Sequence, residues 1–380
     1  MFSFLKNNKH EMPEGGYRTE RAIDRKSIII HHYCPHTFNA GDHFVIRSIR
    51  QHLKLRIPEA LFVPKPCADN RGWGAPTKLK GKNIDSSNRY ADAVVIGGSD
   101  QYNAWSLRID KKEIEELAPP LYLIGLGASS KSLDGKPHIP NESFYEDIKA
   151  TNAVAVMSSV RDNATSDFLD EVGVSKHIIT GCPAMYLFNN KFEQRDSDYC
   201  LLTFPFPVIH NSNKELFDNL TELIKRLLNH IKSKGIRPII SCHDDRDVMR
   251  AQELFPEEEM FFSNYVDDYY ELYKNAQAVF GTRLHATILS SGLGTPFINI
   301  NLDLRGKSFT ETFGLENHNI DINDPRLNDK FISGIDDILS GNINELLKFG
   351  EIKDNYRKVF DKFMDDTASD IYKKINNRIY

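Results

Sequence analysis

Long apolar runs are missing from this chain: no stretch approaches the roughly 20 residues that cross a bilayer. The opening Met1-Phe2-Ser3-Phe4-Leu5 is too short for a signal-peptide core and no cleavage site follows it, so a cytoplasmic protein is expected. Cysteine is scarce. Cys34, Cys67, Cys182, Cys200 and Cys242 are odd in number, widely spaced and without a C-x-x-C pair, so neither a disulfide framework nor a zinc knuckle is implied. They read as buried small hydrophobes or idle thiols. An excess of positive charge is lacking as well, with 48 Lys and Arg against 53 Asp and Glu. A formal net charge of −5 at pH 7 argues against a general nucleic-acid binder while leaving room for a local basic pocket. Low-complexity tracts and internal repeats are absent beyond a shared α/β plan.

What is present is a globular composition, with 40% hydrophobic and 27% charged residues. At 380 residues the chain exceeds one ordinary core, and two domains are the natural expectation. Apolar runs of strand length alternate with segments of helical period. In the first half strands are expected over 27–31, 61–63, 93–96, 121–124 and 153–157, with helices over 44–53 and 164–172. Several of these strands are nearly continuous Val/Ile/Leu runs, as in parallel strands buried on both faces. The second half repeats the plan, with strands over 199–204, 238–241, 260–262, 277–280 and 296–300. Between its first two strands Leu216, Leu220, Leu223, Leu227 and Ile231 form an apolar helical stripe, with Ser212 and Glu215 as a capping box. Asp267 and Asp268 are expected to cap a later helix. The alternation predicts two Rossmann-like doubly wound α/β domains facing a cleft, 1–190 and 191–350, joined by a turn-rich stretch over 181–198. A charged helix over 351–380 is expected to pack back on the first domain.

Ligands in such sheets bind outside the carboxyl ends of the strands, so the polar residues there carry the argument. Over 278–286 a short apolar strand ends in Gly281, and Arg283 and His285 follow on the first turn of a helix. A helix N-terminus attracts anions, an arginine fork suits phosphate or carboxylate, and histidine moves protons near neutrality. The pair points to chemistry on a small anion, against the plainer readings of a salt bridge and a core histidine. Gly41 and Asp42 follow the first strand, the one allowing close approach of a ligand and the other capping a helix. Gly97, Gly98 and Asp100 end another strand, as a cleft floor or as a tight turn. Their spacing is not G-x-G-x-x-G and no acidic residue follows in the dinucleotide pattern, which speaks against a nicotinamide cofactor. Gly125-Leu126-Gly127 poses the same choice at the next strand end. Arg161 points into the cleft or pairs with Asp162 or Asp167 at the surface, and Asp162 reads as a helix N-cap. His243 emerges at a strand end with Asp247 one turn beyond, as a hydrogen-bonded pair or a solvated helix start. Arg305 and Lys307 add cations at the last strand end, or are exposed loop charge. His31, His32, His36 and His43 match no common ligand spacing, so no metal is expected.

The order of these motifs resembles the polysaccharide pyruvyl transferase family. Asn39-Ala40-Gly41-Asp42, Val95-Ile96-Gly97-Gly98-Ser99-Asp100-Gln101, Ser159-Val160-Arg161-Asp162 and Thr282-Arg283-Leu284-His285-Ala286 carry the likeness. The strand over 295–300 with trailing Lys307 completes it, and the resemblance runs over residues 27–315. One departure stands at Gly181-Cys182-Pro183-Ala184, where an acidic residue commonly precedes the Pro-Ala. The resemblance implies a glycosyltransferase-B-like fold and a transferase that moves the enolpyruvyl unit of phosphoenolpyruvate onto two hydroxyls of a sugar, releasing inorganic phosphate. It implies phosphoenolpyruvate as donor substrate, no metal and no separate cofactor, and a sugar or glycan acceptor of polysaccharide biosynthesis. A lipid-linked acceptor would place the enzyme at the inner face of the membrane. His285 is the expected general acid, Arg161 and Arg283 the expected hosts of carboxylate and phosphate, and Lys307 an aid to phosphate departure. Gly41, Asp42, Gly97, Gly98, Asp100 and His243 complete the expected substrate surface. Two other readings stay open: a nucleotide-sugar glycosyltransferase of the same two-domain shape, and a non-catalytic glycan-binding relative.

Overall fold

Val, Ile and Leu runs buried on both faces satisfy their backbone groups by pairing side by side, and in this chain they pair in parallel. A computed structural model of the chain describes residues 27–35, 39–67, 79, 81–98, 102, 109, 111–128, 143–204, 214–315 and 318–377. One sheet has the order β2-β1-β3-β4-β5-β6, from β1 (Ile28–Cys34), β2 (Ala60–Pro66), β3 (Ala93–Gly97), β4 (Leu121–Leu126), β5 (Ala155–Val160) and β6 (Ile178–Ile179). The other has the order β12-β11-β10-β7-β8-β9, from β7 (Tyr199–Thr203), β8 (Arg237–Ser241), β9 (Glu259–Phe261), β10 (Val279–Gly281), β11 (Phe297–Asn301) and β12 (Asn319–Asp321). The strand order reverses between β1 and β3 in the first sheet and between β7 and β10 in the second. Such reversals open crevices at the carboxyl ends of parallel strands. Among the described residues no helix is long and apolar enough to cross a membrane.

The expected strands all appear, with shifted ends. The strand expected from 153 starts at Ala155 because the Ser143–Val154 helix runs through the first half of that apolar run. A short Ala/Val/Met stretch does not distinguish the two by period. β6 and β12, two and three residues long, show no period at all and exist only through pairing with β5 and β11. Asp42 does not cap the Ala40–Arg56 helix. The N-cap is Asn39, whose side chain accepts from the Gly41 N–H at 3.0 Å, and Asp42 sits in the first turn, where its charge suits the helix dipole. Asp162 does cap the Asn163–Val172 helix, accepting from the Thr165 N–H at 2.9 Å. Asp267 and Asp268 lie in the first turn of the Val266–Asn275 helix, which has no side-chain cap. Ser212 lies outside the described residues, and the Glu215 side chain is likewise not described. The Lys214–Ser233 helix buries Leu220, Leu223, Leu227 and Ile231, as its stripe requires. All five cysteines are buried thiols.

The stretch over 181–198 is packed rather than loose where it begins. Pro183–Tyr186 is a buried 3-10 turn, and Ser48 Oγ donates to the Pro183 carbonyl at 2.6 Å. The C-terminal helix, expected from 351, starts earlier and runs over Asn344–Asn376. Its first turns set Phe349 among Phe297, Phe309 and Phe313 beside the second sheet. Its last turns reach the first sheet, where Tyr122 donates to Asp370 at 2.7 Å and Tyr372 to Glu59 at 2.8 Å. One helix therefore straps both sheets.

At the middle of that strap Lys353 is buried, donating to the carbonyls of Ser291 at 2.9 Å and Asn190 at 3.1 Å. Two carbonyls use two of its N–H groups, and burial pulls the amine down to about 8 from 10.5. Between those values the unfolded lysine keeps a proton that the folded one has shed, so stability from this group rises with pH and is lost as pH falls through about 8. In urea titrations the stability of the wild type relative to Lys353→Met should improve by about 3 kcal/mol between pH 7 and pH 10.5.

Candidate active site

The carboxyl ends of the two sheets enclose a cavity of about 150 Å³. The first half of the chain lines it with Asn39, Asp42 and Arg161, and the second with His243, Thr282, Arg283, Leu284, His285, Asn299, Ile300, Leu302, Asp303, Arg305 and Gly306. Arg161 leaves the end of β5, held by a backbone hydrogen bond to the Leu126 carbonyl at 3.0 Å. Its side chain is buried and its Nε donates to Asp162 at 2.9 Å. Arg161 therefore lines the cleft, and its pairing with Asp162 takes place in the interior rather than at the surface. Gly127 makes the approach possible: a Cβ there would overlap the Arg161 guanidinium.

Arg283 and His285 start the Leu284–Leu293 helix, where no side chain caps the first N–H groups. A Cβ on Gly41 would overlap the His285 ring, so the first domain contributes at this point by having no side chain at all. The same seam is stitched by the Ala40 N–H donating to the His243 carbonyl at 2.9 Å and by Asn39 Nδ2 donating to Asp244 at 3.4 Å.

Arg283 donates to Asp247 and, at 3.3 Å, to Asp244. Asp247 also accepts from the backbone N–H of His243 at 3.0 Å, so the His243–Asp247 pairing expected from sequence runs through the main chain rather than the ring. Burial pushes the Asp247 carboxyl up against the pull of Arg283, and the neighbouring Asp244 adds to the rise. At Asp244 burial is outweighed by Arg246 and Arg283, which hold the carboxyl below the usual range. Burial first, then the charges of Arg283 and His285, drive the His243 imidazole well below 6.5, so it is neutral at physiological pH. Arg305 pairs with Asp303 at 2.9 Å. Arginines taken from water need such partners. A guanidinium has five N–H groups, however, and the aspartates do not use them all. Among the described residues, Arg283 Nε, Thr282 Oγ1 and His243 Nδ1 are buried with no hydrogen-bond partner, and all three belong to the cavity wall. Buried polar atoms rarely go unsatisfied, so this cluster marks a place for an acceptor-rich ligand.

Other expected residues sit elsewhere. Lys307 is not on the wall; it points along its helix with Nζ 4.0 Å from Glu311, and Arg305 stands at the cavity instead. Gly97 and Gly98 are also off the wall: Gly97 packs beneath Ile49, and its carbonyl meets His32 Nε2 at 3.2 Å. Asp100 lies outside the described residues. Sequence reasoning passed over Thr282, Asn299 and Asp303 as wall residues, and Asp244 as the partner of Arg283 behind the wall. The acidic run Asp244-Asp245-Arg246-Asp247 beside His243 was a usable signal, as was Asn299 within a buried strand. Asn299 accepts from Thr287 at 3.2 Å and donates to Asn301 at 2.9 Å, bracing the His285 helix against β11. Among the described residues no group of three or more His, Cys, Asp or Glu side chains is arranged to hold a metal.

No curated protein sequence matches the chain. Among solved structures, S. aureus MnaA in its UDP co-structure is similar at TM-score 0.53 and 11% identity, covering 86% of this chain and 91% of that one. Medicago truncatula UGT71G1 complexed with UDP-glucose is similar at TM-score 0.51 and 12% identity, covering 93% and 98%. The Methanocaldococcus jannaschii UDP-GlcNAc 2-epimerase in complex with UDP-GlcNAc and UDP gives 0.50 and 15%, covering 82% and 92%. At these identities the likeness concerns the fold, which is of the glycosyltransferase-B kind. The sequence model of the polysaccharide pyruvyl transferase family matches residues 39–303. That span runs from the Asn39 cap to Asp303 and takes in Arg161, Arg283 and His285, and the chain belongs to the polysaccharide pyruvyl transferase family.

Proposed function

We propose that the chain transfers the enolpyruvyl unit of phosphoenolpyruvate to two hydroxyls of a sugar in a polysaccharide or glycan precursor, forming a cyclic pyruvate ketal and inorganic phosphate. The observation that carries this reading is the convergence of Arg161, Arg283 and His285 on one cavity between the sheets. Phosphoenolpyruvate bears a carboxylate and a phosphate on one carbon, so its host needs two cationic forks in a small space. Arg161 from the first sheet and Arg283 from the second supply them, with Thr282 and the open helix N-terminus adding donors.

The chemistry follows the substrate's electronics. His285, as imidazolium, gives its proton to the methylene carbon, and the adjacent carbon becomes cationic. A sugar hydroxyl adds there and loses its proton. The carbon–oxygen bond to phosphate then breaks, phosphate leaves with the electron pair under the charge of the arginines, and a second hydroxyl closes the ketal; of the two hydroxyl protons, one restores the His285 imidazolium and the other leaves with phosphate. The acceptor enters from the side of Asn39 and Asp42.

A second reading draws on the folds at TM-score 0.50 to 0.53, whose structures hold UDP or UDP-sugars. A nucleotide-sugar glycosyltransferase of this shape would place a diphosphate at Arg283. A cavity of about 150 Å³ favours the smaller donor, since drug-sized ligands fill roughly 300–1,000 Å³. Thermal unfolding separates the two: at 100 times Kd a true ligand adds about 2.7 kcal/mol. Phosphoenolpyruvate should stabilise the protein and UDP should not.

Purified protein given phosphoenolpyruvate and a galactose- or mannose-containing acceptor should release inorganic phosphate, and the acceptor should gain the mass of pyruvate less water. His285→Ala should lower kcat by about a hundred- to ten-thousandfold with unchanged circular dichroism; near-wild-type turnover would remove His285 as the acid. Gly41→Ala should displace the His285 ring and lower kcat by about a hundredfold, with KM for phosphoenolpyruvate nearly unchanged.

A further inference from the structure

We infer that His243 is a neutral hydrogen-bond donor to the anionic donor substrate, its Nδ1–H tautomer fixed by a buried hydroxyl relay through Tyr273 and Ser241. The inference rests on reading the cavity as the phosphoenolpyruvate site, and it assigns a job to a histidine distinct from His285.

The geometry begins at the end of β8. His243 follows two residues after Ser241, lines the cavity and is fully buried. Its Nε2 lies 2.9 Å from the Tyr273 hydroxyl, and that hydroxyl lies 3.2 Å from Ser241 Oγ. Phe44 and Tyr269 meet the imidazole edge-on, with centroids at 5.8 and 5.6 Å, and so hold its plane.

Proton counting then chooses the direction of the relay. If Ser241 donates to Tyr273 and Tyr273 donates to Nε2, both hydroxyl hydrogens are used and the ring proton must sit on Nδ1. In the reverse direction Nε2–H donates to Tyr273 and Tyr273 to Ser241. The Ser241 hydrogen is then left over, and among the described residues Ser241 Oγ makes no other hydrogen bond. The first arrangement satisfies every atom but one: the Nδ1–H, which has no partner among the described residues. Burial drives the Tyr273 phenol far up, so it keeps the hydrogen that it donates.

The charges around the ring support a neutral donor. Arg283, His285 and Asp244 act on it, and Asp247 binds its backbone N–H. Burial and the Arg283 charge keep the imidazole neutral, which makes it a poor proton source and a poor base at neutrality. As a donor it works beside Arg283 Nε and Thr282 Oγ1, buried groups of the same wall that likewise have no partner among the described residues. A cationic imidazole in that place would repel Arg283; a neutral N–H completes the set at no such cost. Neutral imidazole donors facing anionic oxygens are a recognised arrangement in other enzymes.

The test begins on the wild-type protein, with 15N-labelled histidine and long-range 1H–15N correlation spectra. His243 should appear as the Nδ1–H tautomer from pH 5.5 to 8, and inorganic phosphate or phosphoenolpyruvate should shift its Nδ1 resonance. Tyr273→Phe should mix the tautomers or favour Nε2–H. His243→Leu should weaken phosphoenolpyruvate binding and raise its KM by about ten- to a hundredfold with a smaller change in kcat. His243→Asn, which carries an N–H near the Nδ1 position, should recover most of that loss. An Nε2–H tautomer in the wild type, or an Nδ1 resonance indifferent to both ligands, overturns the proposal whatever the variants do. Tautomer and ligand shifts as expected, with no phosphate released onto any sugar, would instead count against the transferase reading and leave the role of His243 standing.

Discussion

A guanidinium removed from water costs several kcal/mol unless a carboxylate goes with it, and the gap between these two sheets holds Arg161 and Arg283 both largely enclosed. Asp162, Asp244 and Asp247 are the carboxylates that make this tolerable. They do more than cancel charge. Asp162 is also a helix cap, Asp244 is another, and Asp247 holds the main chain of His243. Each arginine is thereby oriented by a residue that local backbone structure already needs, and Arg283 keeps its Nε–H without a partner among the described residues. A polar site built this way needs little reorganisation when an anion arrives, which is the condition for strong electrostatic stabilisation.

The same economy governs how the two halves of the chain meet. The start of the Ala40–Arg56 helix touches the second domain at His243, Asp244 and His285, through a backbone N–H, an asparagine and a glycine. A second contact lies opposite, where Ser308 and Thr312 accept the first N–H groups of the Asn163–Val172 helix. The Asn344–Asn376 helix closes the back, with phenylalanine packing at one end and tyrosine–carboxylate bonds at the other. The cavity is therefore walled by both domains, and the separation of its walls is set by contacts that flank it. Under the proposed function this keeps a small donor within reach of both arginines while the acceptor side stays with the first sheet.

How much of this was legible beforehand differs by residue. Arg283 and His285 could be placed from sequence because a glycine-terminated strand followed by a helix start is a local event, visible in nine consecutive letters. Asp162 as a cap is local in the same way. Asp42 was misplaced by three positions as a cap because Asn39 and Asp42 are both good capping residues, and the choice depends on where the chain leaves β1. Lys307 and Arg305 lie two residues apart on one helix, and only the packing of that helix against β11 and the Asn163–Val172 helix decides which of them meets the cavity. Gly97 and Gly98 carried the same signature as Gly41, yet Gly97 serves the packing of Ile49.

What the string of residues could establish on its own was the alternation of buried strands with amphipathic helices, and hence two doubly wound units with chemistry at strand ends. Those facts follow from hydrophobic period and chain connectivity, which act over a few residues at a time. The union of Arg161 with Arg283 and His285, the neutrality of His243, and the pairing of each arginine with its aspartate needed the folded molecule. The first joins residues over a hundred positions apart, and the others depend on burial and on which offered partner the fold brings within reach, neither of which is written in any local stretch of sequence.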